Sequence, residues 1–436
     1  MHRAVKMLTQ LNVETASSRL RLARVADAAA AAVAVSLPWS TSATSILVVV
    51  WLAALLPTLD AARLRREITT AAGGLPLALV ALAALGMAWA DVALKQRLGG
   101  LDGFLKLLCI PLLLAQFRGS PRGWWVIFGF LGSALALLVL SWGLAVIPGL
   151  PWRGNMVGVP VKDYIGQSGI FALCAFALLG CAAQAWRCGR LQSVLALALV
   201  AMAFLANIGF VATGRTTLAI VAALVPLFGF RYFGWRGMLG AVLAGGVLAG
   251  AVWMSSPYLR QRVTRAVEEV EAYRTEHRET SAGLRLEFWK NSIGAIAKAP
   301  ILGSGTGSIP EQLSDPIRFE PGVPYFGTVN PHNQILVVTI QLGLIGTITL
   351  LGLWIAHLLL FRGEGLISWM GLVAVVENVV GSLFNSHLSD FGEGWIYVFA
   401  VGVLGGTALR QAAPPPASRA EAVDSRLPPA AERTGS

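Results

Sequence analysis

Three residues far apart in the chain have the chemistry of one reaction. His332 lies in Asn330-Pro-His-Asn333, Arg215 in Ala212-Thr-Gly-Arg-Thr-Thr217 and Arg285 in Ser281-Ala-Gly-Leu-Arg285. A neutral imidazole can take a proton from an attacking hydroxyl. A guanidinium is permanently charged and forked, so it grips phosphate oxygens in pairs. Together the three describe a base beside an anion clamp. Taken singly, each has a commoner role. His332 could cap a helix or solvate an interface, and each arginine could make a salt bridge or touch a lipid headgroup.

The local grammar places His332 at the mouth of an apolar helix. Asn330 suits an N-cap and Pro331 the first helical position, where its missing amide hydrogen costs nothing. His332 is then expected in the first turn, flanked by Asn333. The positive end of the helix disfavours imidazolium there and attracts phosphate. Asp390, in Asn385-Ser-His-Leu-Ser-Asp390, could orient an imidazole, pair with an arginine or cap a helix. His387 lies nearby with no better claim. Glu377 falls inside an apolar helix, where a charge is costly and calls for a partner or a proton. Lys95, Arg97, Arg153 and Lys162 add positive charge on the same side and could gather an anionic substrate.

These residues need an apolar scaffold. The 436 residues are 56% hydrophobic and 13% charged, about half the charged fraction of a soluble domain. Apolar stretches near 25–40, 43–59, 73–90, 101–117, 123–148, 166–186, 192–212, 215–231, 237–254, 332–361, 366–385 and 391–409 predict an all-α polytopic membrane protein with about twelve spans. Arg63, Arg65, Arg66, Arg118, Arg122, Arg187, Arg190, Arg231, Arg236 and Arg362 fall in every second loop. This positive-inside pattern, rather than nucleic-acid binding, accounts for the net charge of +11. It puts residues 1–24 in the cytoplasm without a cleavable signal peptide, spans one to nine at 25–254, and the last three at 332–409. A disordered cytoplasmic tail is expected at 410–436. Arg215 breaks the charge sorting, because it opens a helix on the opposite side, and so implies a partner.

One loop on that far side, 255–331, is too long for a connector. Residues 258–280 and 284–298 read as two helices, the second with Leu284, Phe288, Ile293 and Ile296 along one face. Trp289 suits a membrane interface. The run Gly303-Ser-Gly-Thr-Gly307 lacks the Lys-Ser/Thr of a phosphate-binding loop and reads as a turn. Cys109, Cys174, Cys181 and Cys188 read as small packing residues.

The combination of Ser281-Ala-Gly-Leu-Arg-Leu-Glu-Phe-Trp-Lys290, Pro300-Ile-Leu-Gly-Ser-Gly-Thr-Gly307, Asn330-Pro-His-Asn-Gln334 and Gln341-Leu-Gly-Leu-Ile-Gly346 resembles the O-antigen ligase and polymerase superfamily of bacterial inner-membrane glycosyltransferases. The motifs cover about residues 210–360. The resemblance implies a C-type glycosyltransferase fold with a periplasmic loop and a periplasmic site. It implies transfer without a cofactor, metal or nucleotide-sugar, from an undecaprenyl diphosphate-linked polysaccharide to a sugar of lipid A-core. By the same resemblance His332 matches the catalytic base, Arg215 and Arg285 match the arginines on the diphosphate, and Asp390 falls near an acidic position. The partners expected are those two lipid-borne substrates and membrane lipids, around a monomer. An O-antigen polymerase, a protein O-oligosaccharyltransferase and, from another class, a lipid-linked substrate transporter are the alternatives. A single large far-side loop favours the ligase.

Overall fold

A chain this apolar satisfies its backbone hydrogen bonds within helices, because a bilayer offers no water to take them. The computed structural model describes residues 2–147, 149–150, 152, 156–276, 280–313 and 330–413, with side chains from residue 18 onward except at 276. The helices begin with α1 (His2–Ser36), α2 (Thr41–Leu55), α3 (Ala61–Ile68), α4 (Ala71–Gly86), α5 (Leu94–Leu105) and α6 (Cys109–Gly119). There follow α7 (Gly123–Val146), α8 (Tyr164–Arg187), α9 (Leu191–Phe210) and α10 (Arg215–Ser255). The long loop contributes α11 (Pro257–Glu276), α12 (Ser281–Lys298) and α13 (Ile309–Leu313). The chain closes with α14 (Gln334–Leu360), α15 (Leu366–Ser382), α16 (Phe391–Phe399) and α17 (Gly405–Gln411). Arg153 and most of the expected tail lie outside the described residues.

Each of the twelve expected stretches falls on helix, but fewer qualify as spans. Among the described residues eight helices are long and apolar enough to cross a membrane, or nine if the bent pair α3–α4 counts as one. The shortfall has three sources. Charged residues occupy the first part of α1, α15 has 17 residues, and α10 counts as one helix although it holds two expected spans joined at a break. That helix breaks at Gly234, where φ is +69°. Beyond the break the chain folds back: a Cβ on Gly245 would lie 3.2 Å from Val225, residues that a straight helix would hold ~30 Å apart.

α14 breaks in the same manner at Gly343, with φ +59°. The hydroxyls of Thr339 and Thr347 meet at 2.7 Å, whereas a straight helix would separate them by ~12 Å. The expected single span at 332–361 is therefore a short arm, 334–342, bent against a longer one. The sequence gives little warning, since Leu342-Gly-Leu344 sits in a predominantly apolar stretch.

The glycine run explains the bend. It is not a free turn but a clasp laid into the broken helix. Ser304 N donates to Ile340 O at 2.8 Å, Gly305 N to Gln341 O at 2.9 Å, and Leu344 N to Pro300 O at 2.8 Å. Gly307 N donates to Gln341 Oε1 at 2.7 Å, and Thr306 Oγ1 to Ala83 O at 2.5 Å. The backbone groups freed by the break are thus satisfied by the loop. Gly305 has φ +90°, and any Cβ there would collide with Ala90. Gly305→Ala is expected to cost roughly 2–5 kcal/mol, from left-handed strain plus overpacking. A thermal melt of detergent-solubilised protein checks this; an unchanged midpoint would show that the clasp contributes nothing.

The clasp fixes the loop helices to the membrane part. Thr280 caps α12, its hydroxyl accepting from Gly283 N at 3.1 Å. One face of α12, through Phe288 and Ala295, packs on Ile340 of the short α14 arm and on Leu313 of α13. Burial of this face anchors the element that carries Arg285.

Candidate functional site

The turn 330–334 and the loop 383–390 are stitched into one wall. Asn330 Oδ1 accepts from His332 N at 2.8 Å and from Ser386 Oγ at 2.9 Å. Asn333 Nδ2 donates to Leu383 O at 3.0 Å. Gln334 Nε2 donates to Ser389 Oγ at 3.0 Å and its Oε1 accepts from Ser389 N at 3.1 Å. Trp289 Nε1 donates to Pro331 O at 2.8 Å, so this half-buried indole pins the turn.

The expected helix start needs correcting. The N-cap is Asn333, whose Oδ1 accepts from Ile335 N at 2.9 Å and Leu336 N at 3.2 Å. Asn330 does not cap; its carboxamide closes the turn that precedes the helix. His332 therefore sits before the first turn, with φ +49°, a conformation uncommon for a residue with a Cβ. Two asparagines flank the histidine, and only the hydrogen-bond partners decide which one starts the helix.

Asn385 joins the candidate residues. Arg285 Nη2 donates to its Oδ1 at 3.2 Å, and the His332 ring is hydrogen-bonded to the same side chain. Its Nδ2 donates to Thr216 Oγ1 at 3.3 Å, next to Arg215, and lies 3.5 Å from His387 Nε2. Burial, reinforced by the Arg285 charge and opposed by the Asn385 hydrogen bond, lowers the His332 pKa to about 4. The imidazole is neutral at pH 7, as the sequence suggests, but desolvation is the main cause rather than the helix end. Burial, then the like charge of Arg215, also lowers the pKa of Arg285.

Arg285 makes no ion pair among the described residues, whereas Arg215 is fully engaged. Arg215 Nη1 and Nη2 grip Glu269 of α11 at 2.9 and 2.7 Å. The Arg215 hydrogen bond is the largest cause of the lowered Glu269 pKa. Glu269 Oε2 also accepts from Ala282 N at 3.3 Å, so one carboxylate ties α10 to both loop helices. Arg262 stacks over Tyr164, its guanidinium 4.3 Å from the ring centroid. Asn385, Glu269 and Arg262 escape the sequence reading. The misplaced charge of Arg215 is the signal for Glu269, and Asn385 lies in the segment considered for Asp390.

The remaining candidates disperse. Asp390 makes no hydrogen bond to His332, Arg215 or Arg285; it stands at the start of α16, where burial and the Glu393 charge raise its pKa to about 7. Among the described residues it neither orients the imidazole nor pairs with an arginine; Asn385 takes that place. Glu377 Oε1 lies 3.8 Å from His387 Nδ1, and both side chains are buried. Lys162 Nζ donates to Leu37 O, and Arg97 to Met87 O and Val92 O, so both brace backbone; Lys95 is exposed. Among the described residues no three His, Cys, Asp or Glu side chains are grouped to hold a metal ion.

A neutral His332 sets the expected pH dependence. The imidazole accepts a proton only when unprotonated, so the free-enzyme profile of kcat/KM should keep its base form down to about pH 4, not to the ordinary value of 6.5. His387 also has a pKa of about 4, but through burial alone. Arg285→Ala therefore distinguishes them: removing a like charge from His332 moves the acid limb upward. An unmoved limb would assign it elsewhere.

No curated protein matches the chain. Residues 197–351 match the family model described as O-antigen ligase. That stretch holds Arg215, Glu269, Arg285 and His332, together with the clasp and the broken α14, while Asn385 lies beyond it. Over residues 197–351 the chain is therefore similar to the O-antigen ligase family.

Proposed function

We propose that this protein is an O-antigen ligase of the bacterial inner membrane, joining a polysaccharide carried on undecaprenyl diphosphate to a sugar of lipid A-core at the periplasmic face. The observation that carries the reading is the meeting at Asn385 of a half-buried Arg285, without an ion pair among the described residues, and a neutral His332. The periplasm supplies no nucleotide energy source, so the driving force must arrive in the sugar–diphosphate bond. His332 deprotonates the acceptor hydroxyl, which attacks the anomeric carbon from the face opposite the leaving group and inverts it. The C–O bond to the carrier breaks and the electron pair departs with the diphosphate, whose growing charge Arg285 stabilises in a site poor in water. Arg215 joins the clamp when a phosphate oxygen takes the place of Glu269. Both substrates are lipids, so both enter laterally.

Purified protein in nanodiscs, given polysaccharide on undecaprenyl diphosphate and lipid A-core, should form the linked product with chelator present. Lengthening of the polysaccharide on its carrier would instead make the chain a polymerase, and transfer to a protein hydroxyl an oligosaccharyltransferase. Movement of the carrier without bond exchange would make it a transporter.

A further inference from the structure

The loop 383–390 has a second face. Where Asn385 turns to Arg285 and His332, Ser386, Ser389 and Asp390 line a separate cavity of about 470 Å³, within the ~300–1,000 Å³ usual for small-molecule sites. The opposite wall is α5, contributing Gln96 and Asp102, with Gln341 from the broken arm of α14. Asn330 belongs to both places, since it lines the cavity and its Oδ1 holds the His332 amide and the Ser386 hydroxyl. The cavity therefore shares a wall with the candidate base.

Its chemistry is selective. Two carboxylates, three carboxamides and serine hydroxyls line it, and among the described residues no Lys or Arg does. Lys106, near Asp390, is spent on backbone, its Nζ donating to Ser389 O at 2.8 Å and Asp390 O at 2.7 Å. Such a lining repels a diphosphate and suits neutral hydroxyls, which donate to carboxylates and both donate to and accept from carboxamides. Phe104 and Pro331 add apolar surface for the C–H face of a sugar ring. The anionic end of the donor is drawn to Arg285, on the other face of the loop. Inversion requires the acceptor to approach from the side away from the leaving group.

We propose that this cavity is the acceptor subsite, binding a neutral sugar unit through Asp102, Gln96 and Asp390 and delivering its hydroxyl past Asn330 to His332. This rests on the glycosyl-transfer reading above, and its test is built to fail separately.

Gly99 lines the cavity, and a Cβ on it would meet nothing within 4 Å. Gly99→Phe therefore narrows the cavity without a backbone clash, and Asp102→Ala removes an exposed carboxylate without burying anything. With reconstituted protein, both variants should raise KM for lipid A-core by about tenfold or more while KM for the lipid diphosphate donor stays within about twofold, the pattern of lost binding rather than lost chemistry. A rise in donor KM instead would place the donor glycan here and overturn the proposal, as would no change in either. Should wild-type protein transfer nothing, the functional reading fails, and equilibrium binding of lipid A-core glycolipid to the protein in nanodiscs decides alone. Binding weakened about tenfold by Gly99→Phe supports the subsite; equal binding, or none to wild type, sinks it.

Discussion

His332→Asn should lower glycosyl transfer by about 10³-fold, within the range a positioned general base contributes, and leave the protein folded. The choice of replacement follows from the backbone. His332 has φ +49°, a region asparagine enters readily through its short polar side chain while alanine resists. His332→Ala removes the imidazole but adds about 1–2 kcal/mol of left-handed strain to the turn, so its loss of activity would be harder to interpret. Asparagine keeps the turn closed by Asn330 and Trp289 and removes only the proton acceptor. The expected result is a normal thermal midpoint, unchanged binding of the lipid diphosphate, and product formation near background. Retained turnover in His332→Asn would show that the hydroxyl is activated by some other group, and the neighbouring His387 would be the next to test.

What could be read from the sequence divides along the range of the forces involved. Helices written in apolar runs are legible, because hydropathy alone positions them: the second loop helix is expected over 284–298 and occupies Ser281–Lys298. His332, Arg215 and Arg285 are legible as types, since an unsorted arginine and a histidine at a helix mouth stand out against apolar surroundings. Relations across the chain are not. Arg215 announces that it needs a partner, but nothing local identifies Glu269, 54 residues away, over the commoner acids beside it. The clasp is hidden for a similar reason. Gly303-Ser-Gly-Thr-Gly307 looks like a turn until Gly343 opens α14 and exposes backbone groups that a glycine-rich segment can approach closely enough to satisfy. One short motif hides the cap: Pro331 makes Asn330 the attractive choice, yet the helix begins after Asn333. The difference moves His332 from the helix end into a strained turn and changes the cause of its neutrality from a dipole to burial.

The two arginines, equivalent in the sequence, should behave differently. Arg285→Ala is expected to lower kcat/KM by about 10²–10³-fold, the cost of losing a preorganised donor aimed at developing charge. Among the described residues Arg285 has no carboxylate partner and is held by Asn385 Oδ1 at 3.2 Å, so its charge is available to the leaving group. Arg215 begins paired to Glu269 at 2.7 Å, and each contact it makes to phosphate must replace one to carboxylate. The net gain is smaller, and Arg215→Ala should cost less catalysis than Arg285→Ala. It should cost more stability, since Glu269 and the α10–α11 junction lose their anchor. Arg285→Lys separates charge from geometry: lysine keeps the positive charge but cannot present two parallel donors, so it should restore part of the rate and return the acid limb of the pH profile toward its original position. Kinetics and thermal melts on the three variants test this ordering. Equal catalytic losses at 215 and 285 would mean that giving up the Glu269 pair costs Arg215 nothing when donor binds, and a larger loss at 215 would transfer the principal diphosphate contact from α12 to α10.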